Sequence, residues 1–290
     1  MSIDKLHERI RKLKNPSMVD FSVDYACIPT HILQQEDSLL GAYTRFCREL
    51  MDALKDTVPA VRFRFDSFAL LGADGLPTLA ELLKEAAEFG YYVLLDGPGI
   101  LTPWDAERTA KVIFAAGEYP CDGLLITPYI GSDAVKPFVS HCKNGKDLFV
   151  VVRSPNKSAL ELQDLLTGSR LVHTAAMDMV NRFGENIFGK CGYSHINAVV
   201  SAGAADSVRN IRSAYKYTYL LVDGLDYPSG NHKNCSYAFD RFGYGAVVSA
   251  GPSVTCAWMD AESDGTDYLD QAVQAADRMK KNLLRYVTIL

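Results

Sequence analysis

Nowhere in this 290-residue chain do the roughly 20 consecutive apolar residues needed to cross a bilayer as a helix stand together. It also lacks a basic stretch: 30 Lys and Arg face 35 Asp and Glu, a net charge of −5. Broad binding to nucleic acid or an anionic membrane needs a concentrated positive face, so neither is expected as a partner. The cysteines at 27, 47, 121, 142, 191, 235 and 256 are odd in number, scattered, and include no Cys-x-x-Cys pair. That argues against a disulfide framework and a zinc site, and predicts reduced thiols in a cytoplasmic protein. The pair His232 and Cys235 has metal-like spacing but no second pair of ligands. No metal and no cofactor are implied. The N-terminal segment carries charges through its length, with Ile3, Leu6, Ile10 and Leu13 on one side. It reads as an amphipathic helix and not as a secretory signal. Linkers, repeats and low-complexity tracts are missing too, which predicts one domain over residues 1–290.

What is present is an alternation. Short β-rich apolar runs fall at Pro16–Ser22, Ala60–Phe65, Tyr91–Asp96, Gly123–Thr127, Asp147–Val152, Ala198–Ala202, Tyr217–Val222 and Gly245–Ala250. Helical patterns lie between them at Leu39–Leu54, Leu76–Phe89, Trp104–Gly117, Asp133–Cys142, Val172–Phe183, Ala204–Tyr215 and Asp267–Arg285. Strands alternating with helices of ten or so residues are the pattern of βαβ units and a parallel sheet. Eight such strands predict an α/β protein of the (β/α)8 TIM-barrel class, with an extra helix at the N-terminus. Functional groups are then expected where strands end, and the third run shows such an end: Leu94 and Leu95 lead into Asp96, and Gly97 and Gly99 let the backbone turn.

Period-two alternation puts Arg62 and Arg64 on one face of the second run and Val61, Phe63 and Phe65 on the other. With the phenylalanines on the helices, both arginines point into the barrel. Asp20, Ser22, Asp66, Asp96, Arg153 and Asp223 join them as a polar set at strand ends. Two readings stay open. The set is a buried ion network filling space, tolerated because its charges are paired, or a small anionic ligand binds to the arginines.

The order of motifs resembles the orotidine 5′-phosphate decarboxylase family, in its longer bacterial type. The matching pieces include N-P-S-M-V from Asn15, D-T-V-P-A-V at 56–61, L-D-G at 95–97, T-P-Y-I-G-S-D-A-V-K-P-F at 127–138, F-V-V-V-R at 149–153, E-L-Q-D at 161–164 and C-G-Y-S-H-I-N-A-V-V at 191–200. The resemblance implies a homodimeric (β/α)8 barrel, a lyase of pyrimidine biosynthesis, whose sites lie at the dimer interface. It also implies a third-strand motif, Asp-x-Lys-x-x-Asp, in which the lysine protonates the carbon left by departing carbon dioxide. Asp96 matches the first aspartate, but Pro98 stands at the lysine and Leu101 at the second aspartate. Neither can transfer a proton. Arg62 takes the place of the second-strand lysine and Ser22 that of the ribose-binding aspartate.

The family's phosphate site changes as well. Pro228 stands at its Gln and Pro252 at its Arg, while Gly230 keeps a place in the loop after the seventh strand. Asp223 and Asp226 would repel a dianion, although His232 and Lys233 lie close in sequence. The residues therefore predict a divergent homologue that is non-catalytic or repurposed for a small anionic ligand, with Ser22, Arg62, Arg64, Asp66, Asp96, Arg153, Asp223 and Gly230 as ligand candidates. The alternative is an active decarboxylase with another proton donor.

Overall fold

In the computed structural model, which describes residues 1–22 and 24–290, all eight apolar runs become strands. They are β1 (Ser17–Asp20), β2 (Ala60–Arg64), β3 (Tyr92–Asp96), β4 (Gly123–Ile126), β5 (Asp147–Val151), β6 (Ile196–Ser201), β7 (Leu220–Asp223) and β8 (Ala246–Ala250). Every neighbouring pair is parallel, and β1 closes the ring by pairing with β8 through Ser17 and Val248 and with β2 through Val19 and Val61. The result is a (β/α)8 barrel. Its strands are apolar on both faces because helices cover the outside and side chains fill the inside, so the outer residues of β2 pack: Phe63 stacks on Phe21 at 5.2 Å.

The helices at Leu39–Leu54, Gly75–Glu88, Val172–Gly184, Ala205–Ala214 and Tyr268–Leu284 follow the sequence pattern to within a residue or so. Two expected helices are interrupted. The one behind β3 begins at Pro103 under a Thr102–Asp105 capping box and loosens into a π-helical turn at Ala110–Ala115. The one expected at Asp133–Cys142 is two 3₁₀ turns, Gly131–Ala134 and Lys136–Phe138, before a short α-helix, Val139–Lys143. Pro137 has no amide hydrogen for an α-helical ladder, which accounts for the break.

The N-terminal helix, Ser2–Leu13, lies across the amino ends of the strands. Ser2 donates through both its amide and its Oγ to the Gly145 carbonyl, at 3.0 and 2.7 Å, just ahead of β5. Lys5 pairs with Asp122 at 2.7 Å ahead of β4, and Arg9 donates to the Pro59 carbonyl at 3.1 Å ahead of β2. The base of the barrel is thereby sealed. No helix of the described residues is long and apolar enough to cross a membrane.

One expectation fails outright. Cys27 and Cys256 form a disulfide across 229 positions. Residues so far apart meet because β1 and β8 are the first and last strands of a closed ring, and the loops leaving them lie side by side. Spacing along the chain carries no trace of that closure. The other five cysteines are unpaired, and four of them are buried.

Candidate functional site at the barrel mouth

At the carboxyl end of the barrel a cavity of about 730 Å³ opens, large enough for a nucleoside-sized molecule. Its floor is Arg62. The alternation of β2 sends this side chain inward, where it is 3% exposed, and tilts it toward the last residues of three other strands. Nε and Nη2 of Arg62 donate to the two carboxylate oxygens of Asp96 at 2.8 and 2.7 Å, a forked pair. Nη1 lies 3.1 Å from Asp223 and 3.5 Å from Asp20. Burial works against the charge of Arg62, but Asp96, Asp20 and Asp223 outweigh it and hold its pKa well above the usual value. For Asp20, burial is again the largest influence and pushes the carboxyl up; Arg62 pulls it down, and Asp96 and Asp223 push it up further.

Above this floor stands Arg64, two residues along the same strand and on the same face. Its Nε is 3.3 Å from Asp96, and its side chain is 48% exposed. Among the described residues Asp96 is its one ion-pair partner. The wall is completed by Ser22, Thr127, the loop after β5 from Ser154 to Asn156, and the loops after β7 and β8. Among the described residues, no lysine and no histidine belong to the lining.

The structure brings together Asp20, Ser22, Arg62, Arg64, Asp96 and Asp223 at this cavity. Three other candidates lie outside its lining. Asp66 is on the surface in the turn of helix that follows β2. Arg153 turns away to Asp164, at 2.9 and 3.0 Å, and to the carbonyl of Ser154, so it clamps the loop after β5 and meets no open space. Gln163 assists by accepting from the Ser154 amide at 2.8 Å, which gives the E-L-Q-D piece a structural task. Gly230 is a point of close approach: a Cβ there would come within 2.1 Å of the Leu225 carbonyl oxygen. Pro98 and Leu101 lie in the loop after β3, and Leu101 is exposed.

Sequence reasoning did not single out Asp147 at the opposite end of the barrel. Asp147, fully buried at the start of β5, accepts from Tyr92 Oη at 2.7 Å and sits 2.6 Å from Nδ1 of His195. Burial, the largest influence, raises the Asp147 carboxyl to about 6, with His195 and Tyr92 opposing it. The signal was there to be read, because Asp147 is in phase with inward-facing Val151.

No family model matches the sequence. Curated relatives do. The chain is 28% identical over 260 residues to orotidine 5′-phosphate decarboxylase of Rhodopirellula baltica, covering 86% of each chain. It is 26% identical over 285 residues to the enzyme of the same name from Clostridium novyi, covering 98% of each. Among solved structures, Plasmodium berghei orotidine 5′-monophosphate decarboxylase superposes with a TM-score of 0.78 at 14% identity, over 98% of this chain and 97% of that one. Leishmania donovani OMP decarboxylase does so with a TM-score of 0.71 at 20% identity, over 97% and 99%. At those identities the superpositions speak for the fold alone. By sequence along most of its length, the chain is a homologue of curated orotidine 5′-phosphate decarboxylases.

Proposed function

We propose that this chain does not decarboxylate orotidine 5′-monophosphate and instead binds a small ligand at the barrel mouth, with Arg64 as the group that meets its negative charge. The observation that carries this reading is the state of Arg62. Decarboxylation leaves a carbanionic carbon that must be protonated by a positioned acid. Among the described residues that line the mouth, the buried cation is the guanidinium of Arg62, which does not give up its proton at working pH and is already engaged by three carboxylates. Pro98 and Leu101 supply nothing in its place. Purified protein mixed with orotidine 5′-monophosphate and followed by absorbance and carbon dioxide release should show no turnover, and Pro98→Lys alone should not restore it. Measurable decarboxylation by the unaltered protein would sink the proposal.

A second reading rests on Asp20. Its carboxyl is pushed up by burial and faces the cavity, so it is the group placed to act as a replacement proton donor in an active decarboxylase. Under that reading turnover is present and Asp20→Asn abolishes it.

We further propose a homodimer. Leu70, Leu101, Trp104 and Tyr129 are exposed just beyond the carboxyl ends of β2, β3 and β4, an apolar rim on neighbouring strands. Sedimentation of the protein, and of Leu101→Asp with Trp104→Asp, checks it; the dimer is expected to dissociate in the double variant.

A further inference from the structure

The loops after the seventh and eighth strands are the place where (β/α)8 barrels most often hold a phosphate group, by backbone amides turned toward its oxygens. Both loops line the cavity here, through Gly224 to Pro228 and, past the end of β8, Gly251 and Pro252. Several of their amides are already occupied from within. The Gly251 amide donates to the Asp226 carboxylate across 25 positions at 2.6 Å, a charge-assisted bond. The Gly224 amide donates to Asp223 at 2.8 Å, and Gly230 donates to the carbonyl of Tyr227 at 2.7 Å. Pro228 and Pro252, one from each loop, have no amide hydrogen to offer. The bond from Asp226 joins the two loops to each other.

We propose that the Asp226 carboxylate is a built-in anion standing where a phosphate would be received, so that the mouth takes a phosphate-free ligand of nucleoside size and rejects phosphate monoesters. The inference rests on the mouth being a binding site, as proposed above, and names the class of ligand it takes. A phosphate oxygen approaching the Gly251 amide would meet a full negative charge at hydrogen-bond distance from the same nitrogen. Arg62, engaged by three carboxylates, is not free to compensate. Arg64, half-exposed and paired with Asp96 alone among the described residues, is left to meet a single carboxylate or similar group elsewhere on the ligand.

The test is titration with inorganic phosphate at pH 7.5 and matched ionic strength, followed by thermal shift and by the ¹⁵N resonances of Gly251 and Gly224. Wild-type protein is expected to ignore phosphate. Asp226→Ala, which removes the anion and frees the amide, should bind it at least about tenfold more tightly. Asp226→Asn, which keeps an oxygen for Gly251 and removes only the charge, should gain less. It also carries the test if the alanine variant fails to fold. Wild-type binding as tight as that of the variants, or folded variants that remain indifferent to phosphate, overturns the inference. Phosphate binding by wild-type protein without turnover sinks this inference and leaves the proposed function standing; turnover of orotidine 5′-monophosphate, itself a phosphate monoester, sinks both.

Discussion

The two ends of the barrel each hold a buried polar network, and they differ in what surrounds it. At the base, Tyr92, Asp147 and His195 are sealed by packing and by the N-terminal helix, and none of the three lines the mouth cavity. At the mouth, Arg62 is as deeply buried, but its partners Asp20 and Asp223 are part-exposed and a cavity of about 730 Å³ stands above them. A network that only fills space has no need of an open volume beside it. The base therefore shows what a structural network looks like in this molecule, and the mouth departs from it in the direction of binding.

The largest effect that would sharpen this contrast is expected from Arg62→Met. It leaves three carboxylates facing one another without their cation, and such removal from a buried pair costs about 3–5 kcal/mol, to be read by urea denaturation. A loss below about 1 kcal/mol would show that the mouth network is solvated and unlike the base. Next comes the covalent clamp at the mouth: Cys27→Ser should lower stability by about 2–4 kcal/mol, with wild-type protein in reductant behaving alike. At the base, the Asp147 carboxyl is raised from 3.8 to about 6, so the folded state holds the proton more tightly than the unfolded one. Its contribution is fully present below pH 3.8 and is lost as pH rises through about 6, an effect of at most about 3 kcal/mol. The pH dependence of unfolding should show that slope in wild-type protein and lack it in Asp147→Asn. The smallest expected effect is Arg64→Met: within about 0.5 kcal/mol on stability, because an exposed pair contributes little, but with loss of ligand binding at the mouth. A large stability loss there would make the two ends alike.

The barrel was legible because apolar runs alternating with amphipathic helices permit few other folds. The inward direction of Arg62 and Arg64 was legible for the same reason, since a period of two leaves only one face for them. Arg153 misled, because it lies past the end of β5, where alternation no longer dictates direction and a loop aspartate eleven residues on could claim it. The link from Asp226 to Gly251 and the pairing of Cys27 with Cys256 could not be read along the chain. Both exist only because a closed ring sets its first, seventh and eighth strands side by side.

That closure has a consequence for how the molecule comes apart. The Cys27–Cys256 bond turns most of the backbone into a covalent loop of 229 residue steps. A protease that cuts once anywhere between those positions leaves a nicked molecule that still migrates as one species, and two fragments separate only when thiol is added.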